Sequence, residues 1–170
     1  MTEGIVFGQS TPEQRNGRSG IELLQAMMAR EIPAATIGRT LNFLLESVEE
    51  GKAVFVGEPT DAFLNPLGIV HGGWALTLID SACGCAVHTL LPPDVGYTSL
   101  ETKVNFTRAI TPQIGEVHAV GRVVSRGRQV MTAEATIEDS RGRLLAHGTS
   151  TLLVLRPEQK PEQKTEPKGE

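Results

Sequence analysis

A chain of 170 residues that is 39% hydrophobic and 21% charged, with a net charge of −4 at pH 7, has the composition of one globular domain. The acidic balance excludes a general binder of nucleic acid or of anionic membranes, because both need a basic surface, so any phosphate site must be local. No apolar run is long enough to cross a bilayer, and MTEGIVFGQSTPEQRNG lacks the basic and apolar regions of a signal peptide, so a cytoplasmic location is expected.

Residues 1–18 are polar and glycine-rich and read as a flexible lead to a single domain over 19–155. Ser19 with Glu22 three residues on forms a capping-box pattern, Ile21, Leu24 and Met28 share one helix face, and Pro33 is expected to end that helix. The run LNFLLESVEEGKAVFVGEPT reads as two strands joined by a hairpin turn at Glu50, Gly51 and Lys52. After the loop DAFLNPLGIV, the stretch from Gly72 to about Leu90 predicts a helix stopped by Pro92 and Pro93. Its apolar residues Trp74, Leu76, Leu78, Ile79, Ala82, Ala86 and Val87 are spread around the circumference, which marks a buried helix. Cys83 and Cys85, the two cysteines, fall on different sides of that helix and suggest core packing, not a disulfide or a thiolate metal site.

From Thr98 the period changes to two. Leu100, Val104 and Phe106 alternate with Glu101, Lys103, Asn105 and Thr107, and Met131, Ala133, Ala135 and Ile137 alternate with Thr132, Glu134, Thr136 and Glu138, so each strand is expected to bury one face. GEVHAVGRVVSRG and GRLLAHGTSTLLVL complete the strand set, with turns at SRGRQ and DSRGR. The fold class is therefore α+β: an antiparallel sheet wrapped around one long central helix, which explains a helix without a polar face. Arg156 to Glu170 repeats PEQK twice, has nothing apolar to bury, and reads as a disordered tail.

The His71-Gly72-Gly73 start of the central helix and the lone carboxylate of Asp80 in its middle need a reason. The first amides of a helix have no internal partner and sit at the positive end of its dipole, so Gly72 and Gly73 can direct bare N–H groups at a carbonyl oxygen that turns negative. The alternative is a tight loop-to-helix junction packed against another backbone. Asp80 lies on a narrow stripe with Thr77, Ser81, Gly84 and His88 and is a candidate nucleophile or general base; the alternative is a structural hydrogen bond to a neighbouring strand. At 1.5 Å per residue Asp80 is roughly 12 Å along the axis from Gly72, so one carbonyl cannot use both from the same chain. Two copies with antiparallel central helices around a two-fold axis would bring the amide end of one beside the carboxylate of the other.

NPLGIVHGGWALTLIDSACG, TSLETKVNFTRAI and VVSRGRQVMTAEATIEDSRGRLLAHGT together resemble the hotdog-fold acyl-CoA thioesterases, in particular the phenylacetate-pathway (PaaI-like) group, over Ile32 to about Leu155. The resemblance implies an acyl-CoA substrate, no cofactor, and a homodimer that pairs further into a tetramer. It implies that Asp80 is the catalytic carboxylate and the Gly72 amide the oxyanion donor. His71 would orient the thioester end or the loop, Asn65 would hold the water or the carbonyl, and Thr98 or Ser99 would supply a hydroxyl. Other hotdog thioesterases carry glutamate at the Asp80 position with a threonine one turn later, where this chain has Gly84. For the CoA phosphates, Arg126 and Arg128 flank Gly127 in a turn and Arg108 is a further candidate, each with the alternative of a solvated strand end. Gly73, Thr77, Gly84 and His88, with Ala82 and Ala86, suggest room beside the carboxylate for a bulky or aromatic acyl group. His88, His118 and His147 have no metal-ligand spacing. A non-catalytic acyl-CoA sensor is the competing reading, against which Asp80 speaks.

Overall fold

The structure, a computed structural model, describes residues 4–157; of the tail expected at 156–170 only Arg156 and Pro157 are described, both exposed. The helices are α1 (Pro12–Arg15), α2 (Gly20–Met28), α3 (Thr36–Leu41) and α4 (Gly72–His88), and the strands β1 (Phe43–Glu49), β2 (Lys52–Gly57), β3 (Gly96–Phe106), β4 (Val117–Arg126), β5 (Val130–Asp139) and β6 (Leu144–Leu155). The strands form one antiparallel sheet in the order β1-β2-β4-β5-β6-β3, and α4 touches all six of them. This is the α+β hotdog arrangement. No helix among the described residues is long and apolar enough to cross a membrane.

The helix can lie so close because the sheet beneath it is built of small residues. Ala119, Ala133, Ala135 and Ala146 are buried, and a Cβ on Gly121 of β4 would stand 2.2 Å from the Ala82 carbonyl oxygen of α4. Leu78, Ile79, Ala82, Cys83, Ala86 and Val87 fill the interface without exposure, each large aliphatic chain contributing about 1.5–3 kcal/mol on burial. Leu76 alone among the expected core residues of the helix turns outward, at 39% exposure. Trp74 is tied down by its indole N–H, which donates to the Leu41 carbonyl at 2.8 Å, and by stacking on Phe63.

Several details differ from expectation. Helix α2 has its capping box at Ser19 and Glu22 but stops at Met28, before Pro33, because Arg30 turns left-handed at φ 63°. Its buried residues are Gly20, Leu24 and Ala26, with Met28 largely exposed. Helix α3 was not anticipated: its segment TIGRTL carries β-branched residues and a glycine, poor helix formers held here by packing. Within residues 4–18, expected as a lead, Phe7 bridges Ala34, the Gly8 amide donates to the Ala34 carbonyl, and the Arg39 guanidinium lies over the Phe7 ring.

Strand β3 corrects the sequence reading most. Leu100 and Phe106, expected on a buried face, are 58% and 56% exposed. β3 is the edge of the sheet, with a strand on one side only, and its register slips between Ser99 and Glu101, which leaves Leu100 outside the ladder as a bulge.

The β5–β6 hairpin is fastened by Asp139, only 5% exposed. One carboxylate oxygen accepts the amides of Arg141 at 3.0 Å and Arg143 at 2.9 Å, and the other accepts the Arg143 guanidinium at 2.6 Å. The Arg143 amide and then its guanidinium hold the carboxyl below the ordinary aspartate range. A folded pKa below the unfolded one gives stability that is full above the unfolded value and is lost as pH falls through the folded one. Thermal unfolding of wild type and Asp139→Asn from neutral pH down to about pH 2 should therefore show a Tm gap that closes at the acid end. A gap independent of pH would contradict this role.

Candidate active site

The half-buried carboxylate of Asp80 is met by β3. Asp80 Oδ1 accepts the Ser99 hydroxyl and the Thr102 hydroxyl, each at 2.8 Å, and Thr102 Oγ1 lies 3.0 Å from Ser150 Oγ, which donates to the Glu101 carbonyl at 2.9 Å. Among the described residues Oδ2 has no partner. Residues three apart on a regular strand face opposite sides, so Ser99 and Thr102 reach one carboxylate only because of the bulge at Leu100. Ser99 pairs with Leu152 and Thr102 with Ser150, both on the helix side of β6. Thr98, one residue before Ser99, is exposed and makes no contact with Asp80. Sequence reasoning missed Thr102 and Ser150, since the odd spacing hides their shared face.

Part of the polar stripe of α4 is covered by β3, while Asp80 and Ser81 also border open space. A Cβ on Gly84 would stand 2.7 Å from Tyr97 Oη, so the glycine admits the tyrosine ring and the room expected there is occupied. His88 packs its imidazole on the same ring, with centroids 5.5 Å apart, and burial lowers its pKa. Thr77 spends its hydroxyl on the Gly73 carbonyl of its own helix at 2.9 Å. The open space beside Asp80 lies on another side: a cavity of about 200 Å³ lined by Asp80 and Ser81 with Met27, Ile37, Phe43, Leu45, Phe55 and Tyr97.

At the N-terminal end of α4 a second cavity of about 440 Å³ gathers Asn65, His71, Gly72, Phe106 and Arg108. His71 is the N-cap, its Nδ1 accepting the Gly73 amide at 2.9 Å. The Gly73 amide is therefore not bare, a correction to the expectation that both glycines offer free N–H groups. The Gly72 amide has no acceptor among the described residues. A Cβ at Gly72 would meet the Phe106 ring at 2.8 Å, so close packing also requires this glycine. Asn65 folds the preceding loop, its Oδ1 accepting the amides of Leu67 at 2.9 Å and Ile69 at 3.3 Å. Of the arginines, Arg108 belongs to this cavity, while Arg126 reaches the Leu90 carbonyl past the other end of α4 and Arg128 sits in the exposed β4–β5 turn. His118 lies 3.4 Å from Glu46, His147 is exposed on β6, and no group of three metal-ligating side chains occurs among the described residues.

Residues 67–146 match the thioesterase superfamily. A 1,4-dihydroxy-2-naphthoyl-CoA hydrolase of Listeria monocytogenes is 30% identical over 115 residues, covering 68% of this chain and 92% of the relative. The chain belongs to the hotdog-fold thioesterase superfamily. A solved phenylacetic acid degradation-related protein of Ralstonia eutropha superposes with a TM-score of 0.70 at 26% identity, over 76% of this chain and 98% of that one. A Streptococcus mutans protein solved with acetyl CoA bound superposes with a TM-score of 0.61 at 26% identity, over 68% and 92%.

This thioesterase carries no thiol suited to nucleophilic attack on a thioester. Burial, reinforced by the charge of Asp80, pushes Cys83 up to about 12; burial does the same to Cys85, against a hydrogen bond with Tyr97 that acts in the opposite sense. At pH 8 on the order of one thiol in 10⁴ is then thiolate. Native protein treated with iodoacetamide at that pH should keep both cysteines unmodified by mass spectrometry, and both should react once it is unfolded. Rapid labelling of either in the native state would refute the assignment.

Proposed function

We propose that the chain hydrolyses an acyl-CoA to the free acid and CoA, with Asp80 as nucleophile or general base and the Gly72 amide of a second copy as oxyanion donor. The observation that carries this reading is the Asp80 carboxylate, held at one oxygen by two hydroxyls and free at the other, at the edge of an apolar cavity. The Listeria relative acts on an aromatic acyl-CoA and the Streptococcus protein binds acetyl CoA, which supports the substrate class.

With Oδ1 fixed by Ser99 and Thr102, Oδ2 faces the substrate. It either takes a proton from a water that attacks the thioester carbonyl carbon or attacks that carbon itself, giving an anhydride that water then opens. In both routes the carbonyl oxygen becomes negative and the C–S bond breaks, releasing the CoA sulfur. The Gly72 amide, at the positive end of α4, suits that negative oxygen. It lies two helical turns from Asp80 on the same chain and in a separate cavity, so a complete site takes two copies. The unpaired edge of β3, with Leu100 and Phe106 exposed, supports such an association, and the tetramer implied by the family resemblance is proposed as a pair of these dimers. Arg108, beside Gly72, suits the CoA phosphates, with Arg126 and Arg128 as further contacts.

Release of CoA thiol from benzoyl-, octanoyl- and lauroyl-CoA tests the chemistry. Asp80→Asn should lower kcat by about 10²- to 10⁴-fold with KM nearly unchanged. A wild type that binds acyl-CoA and releases no thiol would replace hydrolysis with a binding role. Ser99→Ala and Thr102→Val each remove a hydrogen bond to a charged oxygen and should lower kcat about tenfold or more. Thr98→Ala should stay within about twofold, and equal losses at all three positions would undo the role given to the bulge.

The shared site has its own test. Co-expressed Asp80→Asn and Gly72→Pro chains, the proline lacking the backbone N–H and tolerated at the first helical position, form mixed dimers in which one of two sites has both wild-type parts, so about a quarter of wild-type activity should return. No recovery in a preparation shown to contain mixed dimers would overturn the two-chain site.

A further inference from the structure

The cavity beside Asp80 ends at an aromatic ring. Tyr97 stands on β3 two residues before Ser99, on the same face, so it lines the same side of α4 as the hydroxyls that hold the carboxylate. Two residues of α4 hold its ring. Gly84 leaves the notch it occupies, where a Cβ would stand 2.7 Å from Oη and 2.8 Å from Cε2. The His88 imidazole backs the ring at 5.5 Å between centroids. Tyr97 thus forms part of the wall of the cavity of about 200 Å³ on the Asp80 side.

At about 200 Å³ the Asp80 cavity has the volume for one ring or a short chain. We propose that Tyr97, seated on Gly84 and backed by His88, is the end wall of the acyl cavity and sets its size limit. Ring-sized and short acyl groups fit; extended chains are refused because the ring takes up the volume they would need. This assignment rests on the Asp80 cavity being the acyl site, as proposed above. The wall acts by exclusion, so its removal should favour long chains over rings instead of changing all substrates alike.

The experiment has a hydrolysis arm and a binding arm. In the first, kcat/KM is measured for butyryl-, benzoyl- and lauroyl-CoA with wild type, Tyr97→Ala and Tyr97→Phe. The lauroyl-to-benzoyl ratio should rise at least tenfold in Tyr97→Ala and return to the wild-type value in Tyr97→Phe, which restores the ring. Tyr97→Leu replaces Tyr97→Ala should the alanine variant fail to fold. In the second arm, dissociation constants for the same three compounds are measured in Asp80→Asn with and without Tyr97→Ala, where turnover does not interfere. A tenfold shift toward lauroyl-CoA in binding supports the wall even if the wild type hydrolyses nothing, an outcome that would remove only the hydrolytic reading. A chain-length profile unchanged by Tyr97→Ala in both arms overturns the wall, as does a failure of all three compounds to bind.

Discussion

A half-buried carboxylate in the middle of a helix that packs on all six strands has given up part of its hydration, and hydrogen-bond donors offset that loss. Much of the architecture around Asp80 follows from that constraint. The donors are two hydroxyls of β3, and they reach the same oxygen only through a register slip that turns residues three apart onto one face. Among the described residues no buried side-chain nitrogen or oxygen is left without a partner. The bulge thus supplies the carboxylate and, by the same displacement, puts Leu100 outside the ladder and into solvent.

Close packing and chemistry draw on the same glycines. Gly72 lets the Phe106 ring approach the start of α4, and Gly84 lets Tyr97 lie against its middle. At Gly84, inside the helix, the glycine costs up to about 1 kcal/mol relative to alanine, which the packing of the Tyr97 ring there offsets. At both places the aromatic residue borders a cavity, so the same contact that stabilises the helix also shapes the space beside it.

The start and the middle of α4 are kept apart by the stiffness of the helix. The free amide at Gly72 and the carboxylate at Asp80 are separated by two turns that no local motion can shorten, and each has its own cavity. Under the proposed function, self-association is then a requirement of the chemistry, since the core of the single chain is already closed around α4.

The amino-acid sequence by itself determined the order of the main elements. Hairpin β1–β2, buried helix α4 and the alternating strand β5 were legible because hydrophobic period and turn residues are local signals. His71, Gly72 and Asp80 were legible as a candidate site because a glycine pair at a helix start and a lone charge among apolar residues stand out within one turn or two. Helix α3 was not legible, since its residues favour a helix only when packed. Nor were Thr102, Ser150 and Tyr97, because an edge strand with a bulge breaks the period that would have announced them, and because it is pairing with β6 and contact with α4 that turn those side chains inward. Gly84 shows the division most plainly: in sequence it reads as empty space, and only the strand lying against it reveals that a tyrosine fills it.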